Sequence, residues 1–173
     1  YPVESPLIEL RPYGHKSLVE ATLRKIFAYD WAIFSSVNAV KYTFEKLDEM
    51  GLDARTFGAA RVCAVGPKTA DALLERGIKP DVVPEQYVAE SLIEALRSQD
   101  KIESASVLIP RAKEAREVIT EQLQKLGARV DVLPLYENVR PERVPPEAVA
   151  QLKEGRIDAV TLASSSAARN FAA

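Results

Sequence analysis

The sequence predicts an α/β protein built on a parallel sheet with helices on both faces, and three observations carry that prediction. Short apolar runs of strand length alternate with stretches of helical period. Glycine and proline punctuate the alternation where helices would stop and start. Residues 30–40 are echoed 128 positions later by residues 158–168, each an apolar run ending in hydroxyl residues fit to cap a following helix: Ser35 and Ser36 in one, Ser164, Ser165 and Ser166 in the other. Each serine cluster then falls at a strand's carboxyl end, where open α/β sheets bind ligands. Such a turn used twice points to two similar domains facing one substrate, although a serine at an N-cap is also an ordinary structural device.

In chain order, residues 3–10 are strand-like. Residues 17–28 read as a helix in which Val19, Leu23, Ile26 and Phe27 share a face. The strand that begins near Trp31 leads through Ser36 into a helix over 37–50, stopped by Gly51. A strand over 61–65 precedes a helix over 67–76, with Pro67 suited to its first turn and Gly77 to its end. A short strand over 81–83 stops before Pro84, and a helix over 89–97, a strand over 106–109, a helix over 113–126 closed by Gly127 and a strand over 129–133 follow. Residues 140–146, rich in proline, read as a linker into the second copy of the repeat.

Right-handed crossovers order the strands as 129–133, 106–109, the strand at Ile33, 61–65 and 81–83, a five-stranded flavodoxin-like sheet with permuted connectivity. Its direction reverses between the strands ending at Ser36 and Pro110. A crevice is expected there, lined by Ser35, Ser36, Asn38 and Arg111.

Composition removes several function classes. With 23 basic and 25 acidic residues, nothing in the overall charge argues for nucleic acid or an anionic membrane. The single cysteine, Cys63, excludes an intrachain disulfide, and its apolar neighbours make it a core thiol suited to a reducing cytoplasm. No apolar run approaches the roughly 18 residues of a membrane span, so a soluble protein is expected. The chain opens at Tyr1 without methionine and stops at Ala173 a few residues into an apparent helix, where about ten would be ordinary. A segment of a longer polypeptide is expected.

The blocks Asp30-Trp31, Phe34-Ser35-Ser36-Val37-Asn38-Ala39-Val40, Ala64-Val65-Gly66-Pro67-Lys68-Thr69-Ala70, Asp81-Val82-Val83-Pro84, Val107-Leu108-Ile109-Pro110-Arg111-Ala112, Leu135-Tyr136-Glu137-Asn138 and Asp158-Ala159-Val160-Thr161 with Ser164-Ser165-Ser166 together resemble the uroporphyrinogen-III synthase family. Each block alone is weak, whereas their order and spacing are specific. The resemblance implies two flavodoxin-like parallel-sheet domains joined by a two-stranded linker, with substrate in the cleft between them. This chain would hold one nearly whole inserted domain, 13–138, while 1–12 and 139–173 supply linker strands and part of the split domain. The family's opening strand and helix and its closing Gly-x-x-Thr segment have no counterpart here, and Ser165 stands where the family often has proline.

The implied reaction is cyclisation of hydroxymethylbilane, a linear tetrapyrrole with eight carboxylates, with loss of water and inversion of ring D. It involves no redox change, so no cofactor and no metal is expected. The sequence agrees in lacking dinucleotide and phosphate-loop fingerprints and in having His15 as its one imidazole, in a polar stretch that reads as surface. Helix N-termini after Ser36, Gly66, Arg111 and Ser164 offer backbone N–H groups, and Ser35, Ser36, Thr69, Ser164 and Ser166 add neutral donors. Thr69 is equally an ordinary helix residue bonding a preceding carbonyl. Arg111 suits a bidentate pair with a substrate carboxylate, or a surface ion pair with Glu114 or Glu117. Tyr136, expected just beyond the domain's last strand, is the catalytic candidate, since its phenol could help the hydroxyl leave; a tyrosine there also serves packing.

The full-length protein is expected to be a cytoplasmic monomer with a small-molecule substrate, no nucleic acid and no membrane. A non-catalytic tetrapyrrole-binding or sensor module of the same fold is the alternative. A nucleotide or flavin binder is disfavoured by the missing phosphate fingerprint.

Overall fold

The computed structural model describes residues 1–86, 89–97, 102–115 and 117–172. They form two compact units, Pro12–Glu137 and a smaller one made of Tyr1–Arg11 with Asn138–Ala173. Five strands, β1 (Glu9–Pro12), β2 (Trp31–Phe34), β3 (Arg61–Ala64), β4 (Ser106–Ala112) and β5 (Arg129–Val139), make one sheet in the order β1-β5-β4-β2-β3. β2 pairs in parallel with β3 and β4, and β4 in parallel with β5. The order expected from right-handed crossovers is the one found, with β1 added beyond β5.

All four residues of β2 are buried, as a strand covered on both faces requires. Trp31 and Ile33 join Cys63, Val107 and Ile109 on one face, where Leu92 and Leu96 of α4 (Ala89–Arg97) and Leu123 of α5 (Val118–Lys125) complete an apolar cluster. Phe34 serves the opposite face. Its ring centroid lies 6.1 Å from that of Phe57, which in turn lies 6.0 Å from Phe44 of α2 (Val37–Glu49). Val40, Phe44 and Leu47 recur at helical spacing and give α2 its buried stripe. Gly51, at φ 67°, ends that helix in the left-handed conformation, which lets Leu52 N–H donate to Leu47 O at 2.9 Å. The other helices are α1 (Lys16–Leu23), α3 (Pro67–Glu75), α6 (Pro146–Lys153) and α7 (Ser165–Ala172).

Several elements depart from expectation. The helix expected over 17–28 breaks after Leu23, because Lys25 leaves helical geometry at φ −112°, ψ 15°, and a 3-10 turn, Ile26–Ala28, follows. Phe27 is consequently exposed. The strand expected over 81–83 shrinks to one bridge between Val82 and Cys63; Pro80 and Pro84 have no N–H to extend it. The helix expected over 113–126 begins only at Val118, since Lys113 N–H is still committed to Tyr136 O at 2.8 Å; Arg116 lies outside the described residues.

β5 runs to Val139 rather than 133. Its register with β4 shifts by one residue, Arg111 pairing with Pro134 but Ala112 with Tyr136, so Leu135 is the extra residue of a bulge. Tyr136 therefore lies inside the last strand, not beyond it. β1 covers only two residues of the expected 3–10, Glu9 and Leu10, and adds two beyond it, and α6 begins inside the expected linker at Pro146. Residues 158–163 form no strand and all are exposed. No described residue of the smaller unit is buried.

Candidate functional site

Four helices or turns leave the carboxyl ends of β2, β3, β4 and β5, and the chemistry gathers where β2 and β4 part. Their ladder runs for only two pairs, Trp31 with Val107 and Ala32 with Leu108. Pro110, further along β4, has no N–H with which to continue it.

At the end of β2, Ser36 caps α2: its Oγ accepts from Ala39 N–H at 3.1 Å. The same Oγ lies 3.0 Å from Tyr136 Oη, and either hydroxyl can donate. Tyr136 thus reaches from β5 past the end of β4 to the turn after β2. Its ring stacks on Tyr42 of α2, with centroids 4.9 Å apart and planes 11° from parallel. These contacts leave Tyr136 only 5% exposed.

Arg111 is buried rather than on the surface, its side chain 7% exposed, and it donates to the carboxylate of Glu117, which is half exposed. Such a guanidinium needs a carboxylate close by. Beside it, Lys113 donates to Glu137 at 3.0 Å and its ammonium lies 4.3 Å over the Tyr13 ring; the Glu137 carboxylate, hydrogen-bonded to it, holds the ammonium above its ordinary pKa.

The structure brings Ser36 and Tyr136 together, with Arg111 on the strand beside Tyr136. Ser35 is exposed and Asn38 half buried in the first turn of α2. Gly66 caps α3 with its backbone, next to β2 through Val65 N–H donating to Phe34 O at 3.0 Å, and Thr69 is buried in the first turn of α3, its N–H on Gly66 O. Ser164 and Ser166 belong to the smaller unit. There Ser164 Oγ accepts from Ala167 N–H at 3.0 Å, the same bond that Ser36 makes with Ala39, and Ser166 Oγ accepts from Arg169 at 3.2 Å. The repeat seen in the sequence is thus a repeated cap. Sequence reasoning missed Tyr42, whose only signal is a three-dimensional one.

Two other features carry less chemistry. A cavity of about 450 Å³ opens at the amino end of the sheet, where Asp30 and Glu103 outnumber Arg61, so its lining offers no net positive charge to an anion. Cys63 is no nucleophile: burial, with Asp81 nearby, pushes its thiol up to about 12. Among the described residues no group of acidic, histidine and cysteine side chains could hold a metal ion, and no helix is long and apolar enough to cross a membrane.

The family model described as uroporphyrinogen-III synthase HemD matches residues 1–173. The chain belongs to the uroporphyrinogen-III synthase family. It is 31% identical over 170 residues to the uroporphyrinogen-III synthase of Synechococcus elongatus, covering 98% of this chain and 63% of that protein. It is 36% identical over 162 residues to a putative uroporphyrinogen-III synthase of Methanothermobacter thermautotrophicus, covering 92% and 62%. The chain spans less than two thirds of the length of either relative. The uroporphyrinogen III synthase of Thermus thermophilus superposes with a TM-score of 0.65 at 21% identity, over 96% of this chain and 64% of that one. The α/β sheet and helices described above are therefore the synthase fold.

Proposed function

We propose that this chain carries the uroporphyrinogen-III synthase reaction, closing hydroxymethylbilane with loss of water and inversion of ring D. The observation that supports this most directly is the phenol of Tyr136, held by Ser36 at the carboxyl end of the sheet in a chain that matches the family along its whole length. In the proposed sequence the bond between the terminal carbon and its hydroxyl breaks with its electron pair going to oxygen. Tyr136 gives its proton to that oxygen, water leaves, and the positive charge stays on the azafulvene. Attack through the substituted carbon of ring D gives a spiro intermediate, which fragments and recloses. The proton lost as the last pyrrole regains aromaticity returns to the phenolate, so nothing is oxidised or reduced and no cofactor is called for.

The substrate's carboxylates would meet backbone N–H groups at the starts of α2 and α3, the hydroxyls of Ser35, Ser36 and Thr69, the amide of Asn38, the backbone of Gly66 and the guanidinium of Arg111, with Ser164 and Ser166 as donors on the smaller unit. Arg111 would exchange Glu117 for a substrate carboxylate. A folding template of this kind does much of its work by positioning. The protein is proposed to act as a cytoplasmic monomer, without nucleic acid or membrane.

Fresh hydroxymethylbilane closes spontaneously to the type I macrocycle, so the product isomer is the test: the full-length protein is expected to divert it to type III. Tyr136→Phe should lower turnover by up to about a hundredfold, the lower range for a positioned proton donor. Type III formation at the parent rate in a folded Tyr136→Phe protein removes the phenol from the mechanism. A binding module without catalysis is favoured by one observation, the 5% exposure of Tyr136. It predicts an isomer ratio unchanged from the spontaneous one.

A further inference from the structure

Ser36 was expected to hold substrate, yet its oxygen already has two partners inside the protein. Ala39 N–H occupies one lone pair at 3.1 Å, and Tyr136 Oη lies 3.0 Å away. A serine hydroxyl has one proton and two lone pairs. In the resting protein the Ser36–Tyr136 bond can run either way. Once the phenol has given up its proton only one sense is possible, because Ser36 then holds the only proton between the two oxygens.

We infer that Ser36 is the positioning residue for Tyr136: its hydroxyl, backed by Ala39 N–H at the start of α2, donates to the phenol oxygen as that oxygen takes on negative charge. Three further observations bear on this. The donor chain starts at a helix N-terminus, whose partial positive charge favours a nearby anion, and each bond in such a chain polarises the next. Tyr42, on the same helix, stacks on the Tyr136 ring, so α2 fixes the phenol at both its oxygen and its face. In the smaller unit the equivalent cap, Ser164 with Ala167, has no tyrosine hydroxyl on its oxygen among the described residues, which marks the phenol contact as an addition to the cap rather than part of it. The bond strengthens as charge develops, so it belongs to the transition state more than to the bound substrate.

The inference rests on the synthase reading, and the experiment separates the two. Ser36→Asp keeps a good N-cap but has only acceptor oxygens. In the full-length protein it should lower kcat about tenfold, the size of one hydrogen bond to a charged group, apart from any effect of its added charge on KM. Ser36→Thr, which keeps the hydroxyl, should restore kcat to within about twofold of the parent. The deciding measurement is the double-mutant cycle: in a Tyr136→Phe background, Ser36→Asp should cost no further turnover. Independent, multiplying losses in an active protein, or a kcat for Ser36→Asp equal to the parent's, would overturn the pairing and return Ser36 to substrate binding while the synthase reading stands. A parent protein that forms no type III product withdraws both.

Discussion

At the scale of single residues, one doubly bonded carboxylate lies not at the site but at the other end of the sheet. Asp30 Oδ2 accepts from Ser106 N–H and from Ser106 Oγ–H, both at 2.7 Å, while Asp30 N–H donates to Ser106 O at 2.9 Å. This pins β2 to β4 at their amino ends, and the bonds from Ser106 hold the Asp30 carboxyl below its ordinary range. A depressed folded-state value means the unfolded chain binds the proton more readily, so the stabilisation is present above the unfolded pKa of about 3.9 and is lost as pH falls through the folded value. Asp30→Ala should therefore lower the urea midpoint at pH 7, and the gap from the parent should close below about pH 4. Cys63 makes the opposite use of burial. With its thiol pushed up to about 12 it should resist alkylation at pH 8 in the native protein and react at once in denaturant, a contrast that mass spectrometry reads directly.

At the scale of elements, the bulge in β5 sets where Tyr136 points, and Gly14 is the residue that packs against it. Gly14 sits at φ 102°, and a Cβ there would come 2.8 Å from Pro134 O; its neighbour Tyr13 donates through N–H to Leu135 O at 2.8 Å. Gly14→Ala should cost about 1–3 kcal/mol for the strained backbone, with more for the displaced carbonyl, and should lower turnover as well because Pro134 lies two residues from Tyr136. Gly51→Ala, where a Cβ meets nothing within 4 Å, should cost only the left-handed conformation, about 1–2 kcal/mol, and leave turnover alone. Chemical unfolding and the isomer assay on both variants check this. Elements whose signal is local were legible in the sequence: the apolar runs of β2 and β3, the Ser36 and Ser164 caps, and the helix ends at Gly51, Gly77 and Gly127. What was not legible depends on neighbours far along the chain. The bulge comes from how β5 meets β4 and β1. The Ser36–Tyr136 bond spans 100 residues, and nothing near either marks it. Residues 158–163 carry a strand's pattern, but a strand exists only when another strand takes its hydrogen bonds, and no described residue does.

At the scale of the whole molecule, burial divides the chain unevenly. Every buried residue among those described lies in the larger unit, while the smaller unit has none and keeps Val160, Leu162 and Phe171 exposed. Amide exchange follows local burial and contact density, so slow amides are expected at Ile33, Cys63 and Leu108 and fast ones around Val160. Protection near Val160 equal to that at Ile33 in a monomer would show a stabilising partner for the smaller unit within the chain. The order of strands in space also differs from their order in time. During synthesis β1 emerges first but must wait for β5, whereas β3 can join β2 about 30 residues after it. β4 must wait for some forty residues more, and until β5 follows, its outer edge is a row of unpaired backbone groups next to the apolar Val107 and Ile109. A nascent chain paused before Arg129 is thus at its stickiest and has no phenol to offer. The arrival of Tyr136 closes the vulnerable edge and supplies the reactive group in one event, so the polypeptide passes through its aggregation-prone stage before it can touch a substrate.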